Sequence, residues 1–224
     1  MLLPAADAPL EILPKRRAHA SVIWLHGLGA DAEDLVPAAA GLAERCAHPL
    51  HFVLPRAPRL PVTLYHRFRL RAWFDVVSED FEQRGSPEGL DAAVEAVERL
   101  ARRELERGVA PERLLFAGFS QGGAVALHAA LRRPGPLLGV AALSSYLPHR
   151  ERVPPDSPAR AVFLAHAPDD DVVPIAIAES ARDWLRGQGH ALSWWAGGNG
   201  HRLGEDTVAA LTQWLDARLD EIVG

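Results

Sequence analysis

The run Gly118, Phe119, Ser120, Gln121, Gly122, Gly123 constrains this chain more than any other stretch. Before it stand Leu114, Leu115, Phe116 and Ala117, an apolar run of strand length, and after it comes Ala124 to Leu131, rich in helix formers. Strand, sharp turn and helix in that order make the setting of a nucleophile elbow. Gly118 and Gly122 have no side chains to block a strained turn that presents the Ser120 hydroxyl, and the helix that follows points its free N–H groups at developing negative charge. A glycine-rich strand-to-helix turn with an idle serine would share the pentapeptide, so the reading depends on what the rest of the chain brings beside it.

The flanking segments repeat the same alternation. Val22 to Leu25 is an apolar run that ends in His26, Gly27, Leu28, Gly29, a loop just past a strand's carboxyl end. Asp31 or Asp34 can cap a helix whose apolar stripe is Leu35, Ala38, Ala39, Leu42 and Cys46. Phe52 to Leu54 is a short strand candidate. Ser86 and Pro87 open a helix with Leu90, Ala93, Val94, Val97, Leu100, Ala101 and Leu105 inward. Further apolar runs at 138–143, 161–165 and 191–195 are separated by a helical pattern at 174–185, and an amphipathic helix follows over 206–222. Strands written as continuous apolar runs, with helices between them, imply an α/β fold with a mainly parallel sheet covered by helices on both faces. Residues 1–18, with Pro4, Pro9 and Pro14, read as an extended lead-in or edge strand. Residues 59–85 show no helical period despite many apolar side chains, and read as an irregular lid or acyl-groove segment.

Composition narrows the classes. At 224 residues and 48% hydrophobic content the chain is expected to form one domain, 1–224. A net charge of -5 with Arg and Glu interleaved gives no long basic tract, so nucleic acid is not an expected partner. One cysteine, Cys46, excludes an internal disulfide and reads as a small buried hydrophobe. No apolar run approaches the ~20 residues of a membrane span, and the N-terminus lacks the pattern of a signal peptide, so a cytoplasmic protein without stable membrane insertion is expected.

In open parallel sheets ligands sit at the carboxyl ends of strands. Here the run at 114–117 leads to Ser120, the run at 161–165 leads to His166 and to Asp169, Asp170, Asp171, and the run at 191–195 leads to Gly197, Gly198, Asn199, Gly200, His201. Ser, Asp, His is the chain order of an α/β-hydrolase triad. An imidazole must take the serine proton, and a buried carboxylate must hold its tautomer. Spacing leaves all three aspartates as alternatives. The oxyanion needs two donors: the Gln121 N–H, next to the nucleophile, and the Leu28 N–H in the glycine loop after an early strand. His26 reads as an orienting hydrogen-bonder. The histidines form no metal set, so no metal and no cofactor are expected.

Leu25 to Asp34 (LHGLGADAED), Arg71 to Val76 (RAWFDV), Ala117 to Leu127 (AGFSQGGAVAL), Asp170 to Pro174 (DDVVP) and Gly200 with His201 together resemble the bacterial phospholipase/carboxylesterase family, which includes the acyl-protein thioesterases. The resemblance implies a single-domain α/β-hydrolase, a triad of Ser120, Asp170 and His201, and oxyanion donors Leu28 and Gln121. The chain departs from the family pattern at Ala167, at Asp171 and at Tyr65, His66, Arg67. The expected activity is that of a serine carboxylesterase acting on short- to medium-chain carboxylic esters or thioesters through an acyl-enzyme, with a small-molecule ester or acyl thioester as substrate. A dedicated acyl-protein thioesterase or lysophospholipase is the nearest alternative, and a non-catalytic α/β-hydrolase that binds a ligand or partner is the alternative of another class. A homodimer is compatible with this reading. Substrate contacts are expected from Leu28, Tyr65, Phe68, Trp73 and Leu147, with Arg71 free to pair with Asp75.

Overall fold

The computed structural model describes residues 8–223; the expected extended lead-in falls partly outside them, at 1–7. The apolar runs become a seven-stranded sheet: β1 (Leu10–Ile12), β2 (Ala20–Leu25), β3 (Leu50–Leu54), β6 (Leu114–Phe119), β7 (Gly139–Leu143), β8 (Ala161–His166) and β9 (Ala191–Ala196). The spatial order is β1-β3-β2-β6-β7-β8-β9. Only β1 runs antiparallel, pairing Leu10 with Leu54 at the edge; all other neighbours are parallel. The two central strands send alternate residues to opposite faces. Ile23, Leu25, Leu114 and Phe116 enter one core, while Val22, Trp24, Leu115 and Ala117 enter the other.

Helices cover both faces because each core needs an apolar stripe to close it. On one face α2 (Pro87–Glu106), α3 (Gln121–Arg132) and α4 (Ile175–Gly187) bring Leu90, Val97, Ala124, Leu131 and Leu185. On the other, α1 (Val36–Arg45) and α5 (Glu205–Val223) bring Ala39, Leu42, Leu211, Leu215 and Leu219. α3 is buried from Gln121 to Leu131, so it forms the centre of its layer rather than a half-exposed cover. Among the described residues no helix is long and apolar enough to cross a membrane.

Two local expectations are corrected. Cys46 is half-buried just past the end of α1 and donates its thiol hydrogen to Asp216 at 2.9 Å; burial and that carboxylate push its pKa up to about 12, so it stays a thiol. The segment 59–85 is not wholly irregular either. β4 (Arg59–Val62) and β5 (Phe68–Arg71) form a separate antiparallel pair, with Leu60 opposite Leu70 and Val62 opposite Phe68. Val62, Ala72 and Val76 make a small core beneath it, against which Leu28, Leu60 and Leu70 pack. At the tip, His66 and Arg67 take positive φ (51° and 60°) and the Arg67 N–H returns to the Val62 carbonyl at 2.9 Å. The strands are four residues each and one holds Pro61, so the strand signature is weak.

Candidate active site

Five loops at the carboxyl ends of β2, β6, β7, β8 and β9 converge. Ser120, between β6 and α3, has φ 53° and ψ -121°, a region that costs a non-glycine residue about 1–3 kcal/mol and persists only when neighbours over-determine it. Here they do. The Ser120 N–H donates to the Leu143 carbonyl at 2.9 Å, and its own carbonyl accepts from the Gly123 N–H at 2.9 Å and the Ser145 hydroxyl at 2.7 Å. The glycines around it are required by close approach: a Cβ on Gly118 would stand 2.2 Å from the Gly122 carbonyl oxygen, and one on Gly122 would stand 2.4 Å from that of Leu25. Among the described residues the Ser120 hydroxyl hydrogen-bonds to none, which leaves its oxygen free toward the cavity.

His201 follows β9 in the same cavity. Its Nδ1 lies 2.8 Å from Asp170 Oδ2. An ionised carboxylate only accepts, so the proton sits on Nδ1 and the Nε2 lone pair is available as a base. The Phe119 ring, centroid 4.8 Å away, packs beside the imidazole. The Asp170 side chain is fully buried, and Oδ1 accepts from the Val172 and Val173 N–H groups at 3.0 and 2.8 Å. The three aspartates therefore separate. Asp170 faces the histidine, Asp171 is exposed, and Asp169 accepts the Gly200 N–H at 2.8 Å, tying down the loop that carries His201.

The Gly27 to Gly29 loop is held just as firmly. The His26 Nε2 accepts the Ala57 N–H at 3.1 Å, so its Nδ1 carries the proton and donates to the Gly27 carbonyl at 2.7 Å. Burial lowers its pKa, which keeps the ring neutral and in an orienting role. The Gly29 N–H donates to the Arg71 carbonyl at 2.8 Å, while the Arg71 guanidinium holds Asp31 at 2.9 Å and the Ala57 carbonyl at 2.9 Å. Burial pushes the Asp31 carboxyl up, but the Ala32 N–H and the guanidiniums of Arg56 and Arg71 outweigh it and leave it at about 2. Asp75, the partner expected for Arg71, instead receives the Thr63 N–H and hydroxyl, both at 2.7 Å. Leu28 and Gln121 both line the cavity with Ser120. Gln121 opens α3, so its N–H has no intrahelical acceptor.

The cavity encloses about 280 Å³. A larger groove of about 440 Å³ near the N-terminal ends of the strands is lined by residues such as Arg16, Arg113 and Glu104, and carries no serine, threonine or cysteine. A strained serine, a histidine and a buried carboxylate converge at the smaller cavity.

The model of the phospholipase/carboxylesterase family matches residues 9–218. The chain belongs to that family. It is 30% identical over 190 residues to acyl-protein thioesterase 1 of Cryptococcus neoformans (82% of this chain, 79% of that one). It is 33% identical over 184 residues to acyl-protein thioesterase 1 of Mycosarcoma maydis (75% and 76%). Among solved structures it resembles SOBER1 of Arabidopsis thaliana, with TM-score 0.79 and 28% identity over 89% of this chain and 99% of that one. It also resembles acyl-protein thioesterase 2 of Zea mays, with TM-score 0.76 and 27% identity over 95% and 99%.

Within this phospholipase/carboxylesterase scaffold the expected substrate contacts divide. Leu28 and Tyr65 line the cavity. Trp73 does not: it is 5% exposed, its indole N–H donates to the His26 carbonyl at 2.8 Å, and its backbone N–H is taken by the Gln121 side chain at 2.9 Å. Its bulk packs beside the His26 ring, next to the Gly27 to Gly29 loop. Leu147 is buried in the core, and Phe68, 66% exposed on the outer hairpin, does not line the cavity. The walls come instead from Val76, Phe81, Tyr146, Val172 and Val173, which no sequence periodicity singles out.

The Asp169 tether carries its own expectation. Asp169→Ala frees the Gly200 N–H and is expected to lower kcat/KM about three- to tenfold, while Asp169→Asn, whose amide oxygen can still accept that bond, loses less. Steady-state kinetics on one soluble ester checks this order; equal loss in both variants would show that charge, not the tether, is what Asp169 contributes.

Proposed function

We propose that this chain is a serine carboxylesterase that cleaves short- to medium-chain carboxylic esters or thioesters through an acyl-enzyme. The observation that carries the proposal is the strained Ser120 sharing one small cavity with His201, whose Nδ1 is 2.8 Å from the buried Asp170. In this mechanism His201 Nε2 takes the hydroxyl proton as Ser120 Oγ attacks the carbonyl carbon, and Asp170 stabilises the imidazolium. The Leu28 and Gln121 N–H groups receive the oxyanion. The intermediate collapses to expel the alcohol or thiol, which leaves with the proton from His201. Water then enters, gives its proton to Nε2, and releases the acid as Ser120 recovers its hydrogen.

The test is reaction with a fluorophosphonate followed by mass spectrometry of the adduct. Modification confined to Ser120 and blocked by prior incubation with substrate is the expected result; a protein that resists labelling and turns over no ester would be a binding module on a hydrolase scaffold.

Chain-length preference follows from volume. Ligand pockets span roughly 300–1,000 Å³, and a cavity of about 280 Å³ is at the small end. Across p-nitrophenyl esters kcat/KM is expected to rise from acetyl to about butyryl or hexanoyl and to fall again by decanoyl. A continued rise through decanoyl would mean that the 59–85 segment opens as a lid over a longer groove. The two fungal relatives named acyl-protein thioesterase favour thioesters as the second substrate series.

A further inference from the structure

The cavity that holds Ser120 and His201 is otherwise walled mostly by apolar and aromatic groups, with one permanently charged side chain, Arg84. A guanidinium keeps its charge at any working pH and is costly to place against hydrocarbon without a partner. Several arginines around the site have carboxylate partners: Arg56 and Arg71 hold Asp31, Arg150 reaches Glu82 at 3.7 Å, and Arg152 reaches Asp91 at 2.7 Å. Arg84 is different. Among the described residues no carboxylate pairs with it. Its guanidinium carbon stands 4.2 Å from the centroid of Phe81, and Nη1 makes one long hydrogen bond, 3.4 Å, to the Glu79 carbonyl. The backbone beneath it is fixed, since the Val77 N–H donates to the Arg84 carbonyl at 2.9 Å and Val76 bridges to Gly85. Tyr146 lies beside it: burial pushes that phenol's pKa up, and the charge of the Arg84 guanidinium and a side-chain hydrogen bond to it work in the opposite direction.

We infer that Arg84 is an anion-recognising subsite of the substrate cavity, so that the preferred substrates carry a carboxylate or phosphate group in addition to the scissile ester or thioester. The inference rests on the hydrolase reading and deepens it. Stacking on Phe81, with contacts to the Glu79 carbonyl and the Tyr146 phenol, leaves further guanidinium N–H groups for a planar or tetrahedral oxyanion. Partial exclusion of water strengthens that contact relative to a surface pair. The acidic neighbours Glu79, Asp80 and Glu82 do not quench it by direct pairing. All three are exposed, Asp80 accepts the Glu82 N–H at 2.9 Å, and Glu82 is turned toward Arg150. In a chain of net charge -5, a lone cation in the wall is what would draw an anionic substrate to the serine.

Two matched substrate pairs distinguish the sources of the anion. For a charge on the acyl side, p-nitrophenyl hydrogen glutarate is compared with p-nitrophenyl valerate. For a phosphate on the alcohol side, lysophosphatidic acid is compared with the monoacylglycerol of the same chain. In at least one pair the anionic member is expected to have the higher kcat/KM by about tenfold, chiefly through KM, with the advantage shrinking at high salt. Arg84→Gln should erase that ratio, Arg84→Lys should keep part of it, and Arg67→Gln, an exposed arginine of the outer hairpin, should leave it unchanged. Melting temperatures of the variants establish that they are folded. Turnover with no charge preference in either pair, or a preference that survives Arg84→Gln, overturns the subsite alone. No turnover of any of the four substrates overturns the hydrolase reading and the subsite with it.

Discussion

Ser120→Ala is expected to reduce kcat by at least ~10⁴, because the covalent route is lost while binding and the oxyanion donors remain. The fold should be untouched. The side-chain oxygen has no hydrogen-bond partner among the described residues, so its removal leaves no buried group unsatisfied. The backbone contacts that hold φ at 53° belong to Leu143, Gly123 and Ser145, and none of them needs the hydroxyl. The measurement is kcat on a p-nitrophenyl ester together with the melting temperature of the same preparation. An alanine variant that is equally stable and keeps a tenth of the wild-type rate would end the acyl-enzyme mechanism, since no other residue in the cavity could take the acyl group at that rate.

How far the sequence alone reaches can be seen by comparing this elbow with the hairpin beside it. The elbow is legible because steric demand acts locally: a Cβ added at Gly118 or Gly122 would stand 2.2 or 2.4 Å from a backbone oxygen, and the apolar runs on either side are buried on both faces. The hairpin at 59–71 is not, because its strands are short, carry Pro61 and alternating arginines, and draw their stability from only three buried residues. Even so, the alternation of Arg67, Arg69 and Arg71 with Phe68 and Leu70 is the period-2 pattern of a strand.

Direction is the second thing that apolar content does not encode. Trp73 and Phe68 are both large apolar candidates in the sequence, yet one is pinned beside the Gly27 to Gly29 loop by the Gln121 side chain, 48 residues away in the chain, and the other is exposed on the outer hairpin. The Gln121 amide also donates to the Phe74 carbonyl at 2.9 Å, so the residue next to Ser120 has a structural task, holding the 73–74 backbone, that only the folded register reveals. The same holds for Arg84, which belongs to the cavity through the return of the chain at Val76 and Gly85, not through any motif.

Asp170→Asn is expected to cost roughly 10³ to 10⁴ in kcat with the fold retained, and the hydrogen bonds around the carboxylate say why. Oδ1 accepts two backbone N–H groups, from Val172 and Val173, and only an oxygen can occupy that position. In the asparagine variant the amide oxygen is therefore held there, and the NH₂ group is forced into the place of Oδ2, facing His201 Nδ1. A donor now meets a donor. The imidazole must move its proton to Nε2, the nitrogen that has to accept from Ser120, and the base is lost without any change of shape. Asp169→Asn offers the control, because its single acceptor contact, to Gly200, lies away from the imidazole and tolerates an amide. Paired kinetics on the two variants decide between them: a large loss at Asp170 with a loss under tenfold at Asp169 is the expected pattern, and the reverse pattern would move the acid by one residue and require Asp170 to be a structural brace for the Val172 and Val173 turn.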